Sequence, residues 1–267
     1  MKVRDKLWLF ASHAHDDDIW FARSPGRRIG SWSRITPTEG AMMLGLDNVI
    51  MVSSDGTPVP FSSDANGYME SFCNMKNVWW SVSGALGFRA GNEEDYVLEL
   101  SKKHPNLKGA YFDEPLKIGK DFEQCKKIIH DVGETLKKSD SSMEIWATCF
   151  ADDAKSCPDA GIYDPLDGIV LWNPHIEAIG DMEKHLEVYE KLLPDKKKMM
   201  GIYMFHYKKR EPISDELMEF QCLKALQWLK EGRIEGIVFH TNSVMGVGFS
   251  CEYWLRNWID EVGKLEV

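Results

Sequence analysis

The chain has 267 residues, 43% of them hydrophobic and 28% charged, with a mean hydropathy of -0.34. That composition excludes a disordered or fibrous protein and supplies apolar material for one sizeable core. With 32 Lys and Arg against 42 Asp and Glu, the net charge of -10 repels phosphate backbones and anionic lipids, so neither a nucleic acid nor a membrane is an expected partner.

Taken in chain order, the first six residues, four of them charged, lead into an apolar run over 7–10 that is too short for the core of a signal peptide. A buried strand is predicted over 7–12. The next start signal is Thr36-Pro-Thr-Glu39, an N-cap, a first-turn proline and a Glu three residues after the cap, which opens a helix. Strands over 48–53 and 78–83 follow. Asn92, with Glu93, Glu94 and Asp95 behind it, puts acids at the positive end of a helix dipole.

After the strand at 107–112, the residues Phe122, Cys125, Ile128, Ile129, Val132 and Leu136 mark one face of a helix. Strands at 143–150, 168–172, 199–205 and 234–240 complete the set. Between and after the last of them, two further helical stripes run through Met218, Cys222, Ala225, Leu226 and Leu229, and through Cys251, Leu255, Trp258, Ile259 and Val262. Stretches 24–32, 53–63 and 84–91 read as long loops.

Strands therefore start about every 32 residues, the size of one strand and its crossover helix. One-faced helices around continuously apolar strands make a parallel sheet covered on its outside. Eight such units predict a single-domain (β/α)8 barrel over residues 1–267, close to the usual size of about 250 residues. The runner-up, an open doubly wound sheet, usually carries a Gly-rich phosphate turn after its first strand, where this chain has Ser12-His-Ala-His-Asp16. The six cysteines (Cys73, Cys125, Cys149, Cys157, Cys222 and Cys251) form no C-x-x-C pair. They are expected to be reduced core thiols, and a cytoplasmic location is expected.

Barrels of this kind build their sites just beyond the C-terminal ends of the strands. Read that way, strand one supplies His13, His15 and three consecutive acids, Asp16, Asp17 and Asp18; strand two supplies Ser54 and Asp55. Strand four ends in Asp113-Glu114-Pro115, and strand five in Thr148, Cys149, Asp152 and Asp153. Strand six gives Trp172, Asn173 and His175; strand seven gives Tyr203, His206 and Tyr207; strand eight gives His240, Thr241 and Asn242. A carboxyl at the mouth of an apolar barrel loses solvation, which raises its pKa and suits it to donate a proton to a departing oxygen. Asp113 and Glu114 are the strongest such pair, although adjacent strand residues face opposite ways unless the backbone turns at Pro115. Aromatic faces beside amides and imidazoles suit a polyhydroxylated ligand, whereas Trp80 and Phe205 read as packing.

The segment Gly109-Ala-Tyr-Phe-Asp-Glu-Pro115 is similar to the strand-four Gly-x-Tyr-x-Asp-Glu-Pro segment of poorly characterised barrels, and the whole chain resembles the (β/α)8 glycoside-hydrolase superfamily. The resemblance implies that Glu114 or Asp113 is the acid/base residue. The chain departs from glycosidases with a nucleophilic Glu after strand seven, since Tyr203-Met-Phe-His-Tyr207 has no carboxylate. The second carboxylate is open among Asp152 or Asp153, the cluster of Asp16, Asp17 and Asp18, and Asp55. Retention would need the carboxyls about 5 Å apart and inversion about 6.5–9.5 Å.

The candidate catalytic set is Asp113, Glu114 and Asp152. His13, His15, Asp16, Asp55, Trp172, Asn173, His175, Tyr203, His206, His240 and Asn242 are expected to hold a small glycoside or an oligosaccharide end, with no cofactor. An alternative is a metal-dependent hydrolase, because His13-x-His15 resembles the first-strand pair of the amidohydrolase superfamily and would carry a zinc-type metal. Another is a barrel that binds carbohydrate without turning it over.

Overall fold

The computed structural model describes residues 1–18 and 32–267. Eight strands form one closed parallel barrel: β1 (Leu7–Ala11), β2 (Asn48–Met51), β3 (Asn77–Ser83), β4 (Leu107–Phe112), β5 (Glu144–Phe150), β6 (Gly168–Trp172), β7 (Lys197–Tyr203) and β8 (Gly236–His240). Each strand pairs with its successor, and β8 closes on β1. All eight predicted strands are present, with ends shifted by up to two residues. The long loop expected over 24–32 lies almost wholly outside the described residues.

Helices α1 (Pro37–Leu44), α2 (Ser63–Ser71), α3 (Glu93–Lys103), α4 (Phe122–Ser139), α5 (Asp153–Ser156), α6 (Met182–Leu192), α7 (Asp215–Lys230) and α8 (Ser250–Val262) follow the strands in turn. The capping box predicted at Thr36 is formed: Glu39 N–H donates to Thr36 Oγ1 at 3.3 Å, and Thr36 N–H donates to Glu39 Oε2 at 2.8 Å. Asn92 makes no side-chain cap; the Glu93 carboxylate instead accepts the amides of Ala90, Gly91 and Asn92 ahead of α3. The fifth crossover departs from the regular pattern. Its helix has only four residues, because Pro158 and Pro165 break the 151–167 connection, and a 3-10 turn at Ala160–Tyr163 buries Ile162 and Tyr163 in place of a longer helix. Among the described residues, no helix is long and apolar enough to cross a membrane.

Alternate strand residues divide two apolar layers, as a sheet buried on both faces requires. Leu7, Leu9, Val49, Met51, Ala110, Phe112 and their like pack against the helices, including the stripes predicted on α4, α7 and α8. Trp8, Phe10, Trp79, Tyr111, Trp146 and Trp172 belong to a separate inner cluster. Space for its three central indoles comes from a glycine on the next strand. A Cβ on Gly109 would lie 2.6 Å from Trp79, one on Gly168 2.5 Å from Trp146, and one on Gly201 2.1 Å from Trp172. The lumen is thus filled by Trp–Gly pairs stepping around the ring from β3 to β7. Trp172, in the uppermost pair, forms part of the floor of the cavity above.

Candidate active site

Strand register sets the floor. Phe10 pairs with His240 across β1 and β8, and His240 with Tyr203 across β8 and β7, so three rings stand level at the strand ends. His240 stacks on Phe10 at 4.9 Å between ring centroids, and Trp172 meets Phe10 edge-on at 5.4 Å and Tyr203 at 5.1 Å. Above them is a cavity of about 320 Å³ at the C-terminal mouth of the barrel. Its described wall includes Asp16, Asp17, Asp55, Asp113 and Glu114, together with Ser12, Ser54 and Thr148, and it contains no Lys or Arg.

Asp113 continues the β4 ladder one residue past the strand: its N–H donates to Ser83 O at 3.1 Å, and Ser83 Oγ donates to Asp113 O at 2.8 Å. Alternation turns Tyr111 inward, Phe112 outward and Asp113 inward again. Thr148, inward on β5, donates to Asp113 Oδ1 at 2.7 Å. Its single proton being used there, Thr148 must accept from the Tyr111 hydroxyl, 2.8 Å away. Burial, with the neighbouring Glu114 charge adding to it, pushes the Asp113 carboxyl up to about 7 against the lowering effect of Thr148.

Glu114 should point away from the lumen by alternation, yet it lines the same cavity. Its backbone is left-handed, with φ 46° and ψ 57°, so the chain turns one residue before Pro115, where the sequence suggested it. Its carboxylate is ion-paired with Lys117 and accepts the Leu86 amide at 3.2 Å. Asp55 (φ 48°) and Leu86 (φ 58°) are also left-handed and also line the cavity. Three successive loops, after β2, β3 and β4, therefore each place a non-glycine residue in a conformation costing about 1–3 kcal/mol, a kind of strain that concentrates at functional sites.

The opposite wall is built on Asp17. Its Oδ2 accepts from Ser243 Oγ, in a short contact, and from the Tyr207 hydroxyl at 3.1 Å; Tyr207 O lies 3.3 Å from His240 Nδ1. Burial and the adjacent Asp16 raise the Asp17 carboxyl to about 7, against the lowering effects of Ser243, Tyr207 and His13. Burial drives His240 down to about 3. The imidazole is then neutral, and because the Tyr207 proton goes to Asp17, Nδ1–H is the tautomer that donates to Tyr207. Tyr203 lies within electrostatic reach of Asp17, Asp113 and Glu114 together.

Of the residues expected from sequence, Asp113, Glu114, Asp16, Asp55, Trp172, Tyr203 and His240 converge on the cavity. The others stand elsewhere. Asp152 is exposed on the short fifth crossover and paired with Lys155 at 2.7 Å, which holds its carboxyl below the usual range. Asn173 is buried against α6, its Oδ1 bonded to His185 Nδ1. Asn242 accepts the Ser12 amide at 3.0 Å and donates to Ile35 O, tying β1 to the chain before α1. His175 is exposed, and His206 is buried with its Nε2 4.0 Å from Glu177.

His13 and His15 do not form the strand pair expected of them, because β1 ends at Ala11 and His15 is left-handed at φ 71°. His13 turns to Ala14 O and Asp16, and His15 to Asp18. Among the described residues, no three His, Cys, Asp or Glu side chains are grouped to hold a metal ion. Thr148 is among the strand-five end residues named from sequence but not in the candidate set, although an inward polar position on an apolar strand marks it out. Asp17 is likewise not singled out from three consecutive acids, a choice for which the sequence carries no signal.

No family model matches the chain, and no curated protein matches it in sequence. Its fold does match solved structures. A putative alpha-L-fucosidase from Bacteroides thetaiotaomicron superposes with a TM-score of 0.61 at 12% identity, covering 99% of this chain and 96% of the other. The active domain 2 of a thermostable chitinase from Pyrococcus furiosus does so with a TM-score of 0.57 at 11% identity, covering 97% of each chain. QR15, an aldolase, reaches 0.51 at 11% identity over 97% and 98% of the two chains. These likenesses establish the (β/α)8 barrel, a fold on which many chemistries occur.

Proposed function

We propose that the cavity is the active site of a glycoside hydrolase, with Asp113 as proton donor to the leaving glycosidic oxygen. The observation that carries this reading is the state of Asp113: a buried carboxyl at a strand end, fixed by Thr148 on one oxygen and raised to about 7, as a general acid working near neutrality requires. Glu114, turned into the same cavity, adds negative charge where an oxocarbenium-like centre would develop. The aromatic floor of Phe10, Trp172 and Tyr203 offers apolar faces to a sugar ring. Glycosidases among the structural neighbours agree with this reading.

Size and charge narrow the ligand. About 320 Å³ is at the small end for ligand sites, which favours a small glycoside or one end of an oligosaccharide over a long threaded chain. Five carboxyls in the described wall, with no Lys or Arg in that wall and the His240 imidazole neutral, disfavour uronic, sialic or phosphorylated sugars. Neutral or amino sugars fit.

The test is a panel of neutral and amino-sugar aryl glycosides and short oligosaccharides. Asp113→Asn should lower kcat by about 10²–10⁴ while keeping ligand affinity, and Asp152→Asn should leave both unchanged. Sugar binding without turnover by the unmodified protein would leave a carbohydrate-binding barrel as the reading, and full activity in Asp113→Asn would remove Asp113 from the chemistry.

A further inference from the structure

Two carboxyls can partner Asp113, and they lead to different chemistry. Glu114 is its chain neighbour, on the same side of the barrel mouth. Asp17 stands on the other side: its oxygen is held by Tyr207, which follows β7, and by Ser243, which follows β8. Asp113 is anchored at β4 through contacts to β3 and β5. In a ring of eight strands β8 is opposite β4, so the two carboxyls face each other across the cavity they both line. Both hydroxyl donors reach the same oxygen of Asp17, Oδ2, which leaves Oδ1 to accept from a water.

We propose that Asp17 is the catalytic base that activates the hydrolytic water, and that hydrolysis proceeds with inversion at the anomeric carbon. The proposal rests on the glycosidase reading above. In the step, Asp17 takes a proton from the water as its oxygen bonds to the anomeric carbon. The bond to the leaving oxygen breaks on the opposite face of the ring, and that oxygen takes the proton of Asp113. One water is consumed, no covalent sugar–enzyme bond forms, and the two carboxyls regain their starting states by proton exchange with solvent. A wide separation across the cavity, with room for a water, is what inversion requires; a neighbouring nucleophile such as Glu114 would give retention.

The experiment follows the first-formed anomer by proton NMR on any glycoside of the panel that is cleaved, with the unmodified protein. Inversion is expected, and retention overturns the proposal while leaving the glycosidase reading in place. Asp17→Ala should lose about 10²–10⁴ in kcat, with azide restoring turnover as a glycosyl azide of inverted configuration, since azide attacks without a proton to remove. A residue that only holds Tyr207 in place would not be replaced by azide, so an inverting enzyme whose Asp17→Ala variant stays active, or is folded but not rescued, also overturns it. A protein that cleaves no member of the panel removes the glycosidase reading and this proposal together.

Discussion

Asp113 and Glu114 are consecutive residues whose side chains enter one cavity, because the backbone between strand β4 and Pro115 reverses at Glu114 with φ 46° and ψ 57°. In an extended chain they would face opposite sides of the barrel wall. The reversal is held by the Lys117 ion pair and by the Leu86 amide on the Glu114 carboxylate. It brings a second carboxylate beside the buried acid, and that neighbour raises the Asp113 pKa in addition to burial.

Thr148 is a positioning residue for Asp113. Thr148→Val keeps the shape but removes the donor to Asp113 Oδ1 and the acceptor of the buried Tyr111 hydroxyl proton. Because that hydrogen bond lowers the Asp113 pKa, its loss should move the alkaline limb of the pH–rate profile to higher pH. The fold should weaken by about 1–3 kcal/mol. A pH profile and urea unfolding check both, and a limb that stays in place would show that another group carries it.

Asp113 also makes stability depend on pH with a definite sign. Its ordinary pKa of 3.8 rises to about 7 in the folded chain, so between these values the unfolded state ionises first. The acid's favourable contribution, complete below about pH 4, is lost as pH rises through 7. Asp113→Asn cannot ionise, and its stability relative to the unmodified protein should therefore rise between pH 4 and pH 8 by roughly 2–4 kcal/mol. Asp17, raised in the same window, is present in both proteins. Denaturant unfolding at pH 4, 6 and 8 measures the difference, and a difference that does not vary with pH contradicts the buried, raised state of Asp113.

The Trp172 floor depends on Gly201. In Gly201→Ala the new methyl would lie 2.1 Å from the Trp172 ring, so the indole must shift, at a cost of about 1–3 kcal/mol or more. Sugar affinity should fall with it. Gly67→Ala on α2, with no atom within 4 Å of its Cβ, should instead stabilise by about 0.5–1 kcal/mol. Tryptophan fluorescence, unfolding and ligand titration report all three effects, and an unchanged affinity in Gly201→Ala would separate the floor from binding.

Sequence alone determined the barrel, its eight strands and the side of it that carries polar chemistry, because alternating apolar runs and helical stripes are local patterns that a parallel sheet imposes on every strand. It also picked out Asp113 and Glu114, whose place at a strand end is a matter of position along the chain. What it did not determine depends on contacts between distant residues. Only the closed ring could show that Asp17, and not Asp152, reaches the cavity, since the first is held by Tyr207 and Ser243 from β7 and β8 while the second sits beside Lys155 on an exposed turn. The histidines follow the same rule: His240 is fixed inside by β1 and β7 pairing, whereas His13 and His15 lie beyond the end of β1, where strand alternation no longer applies.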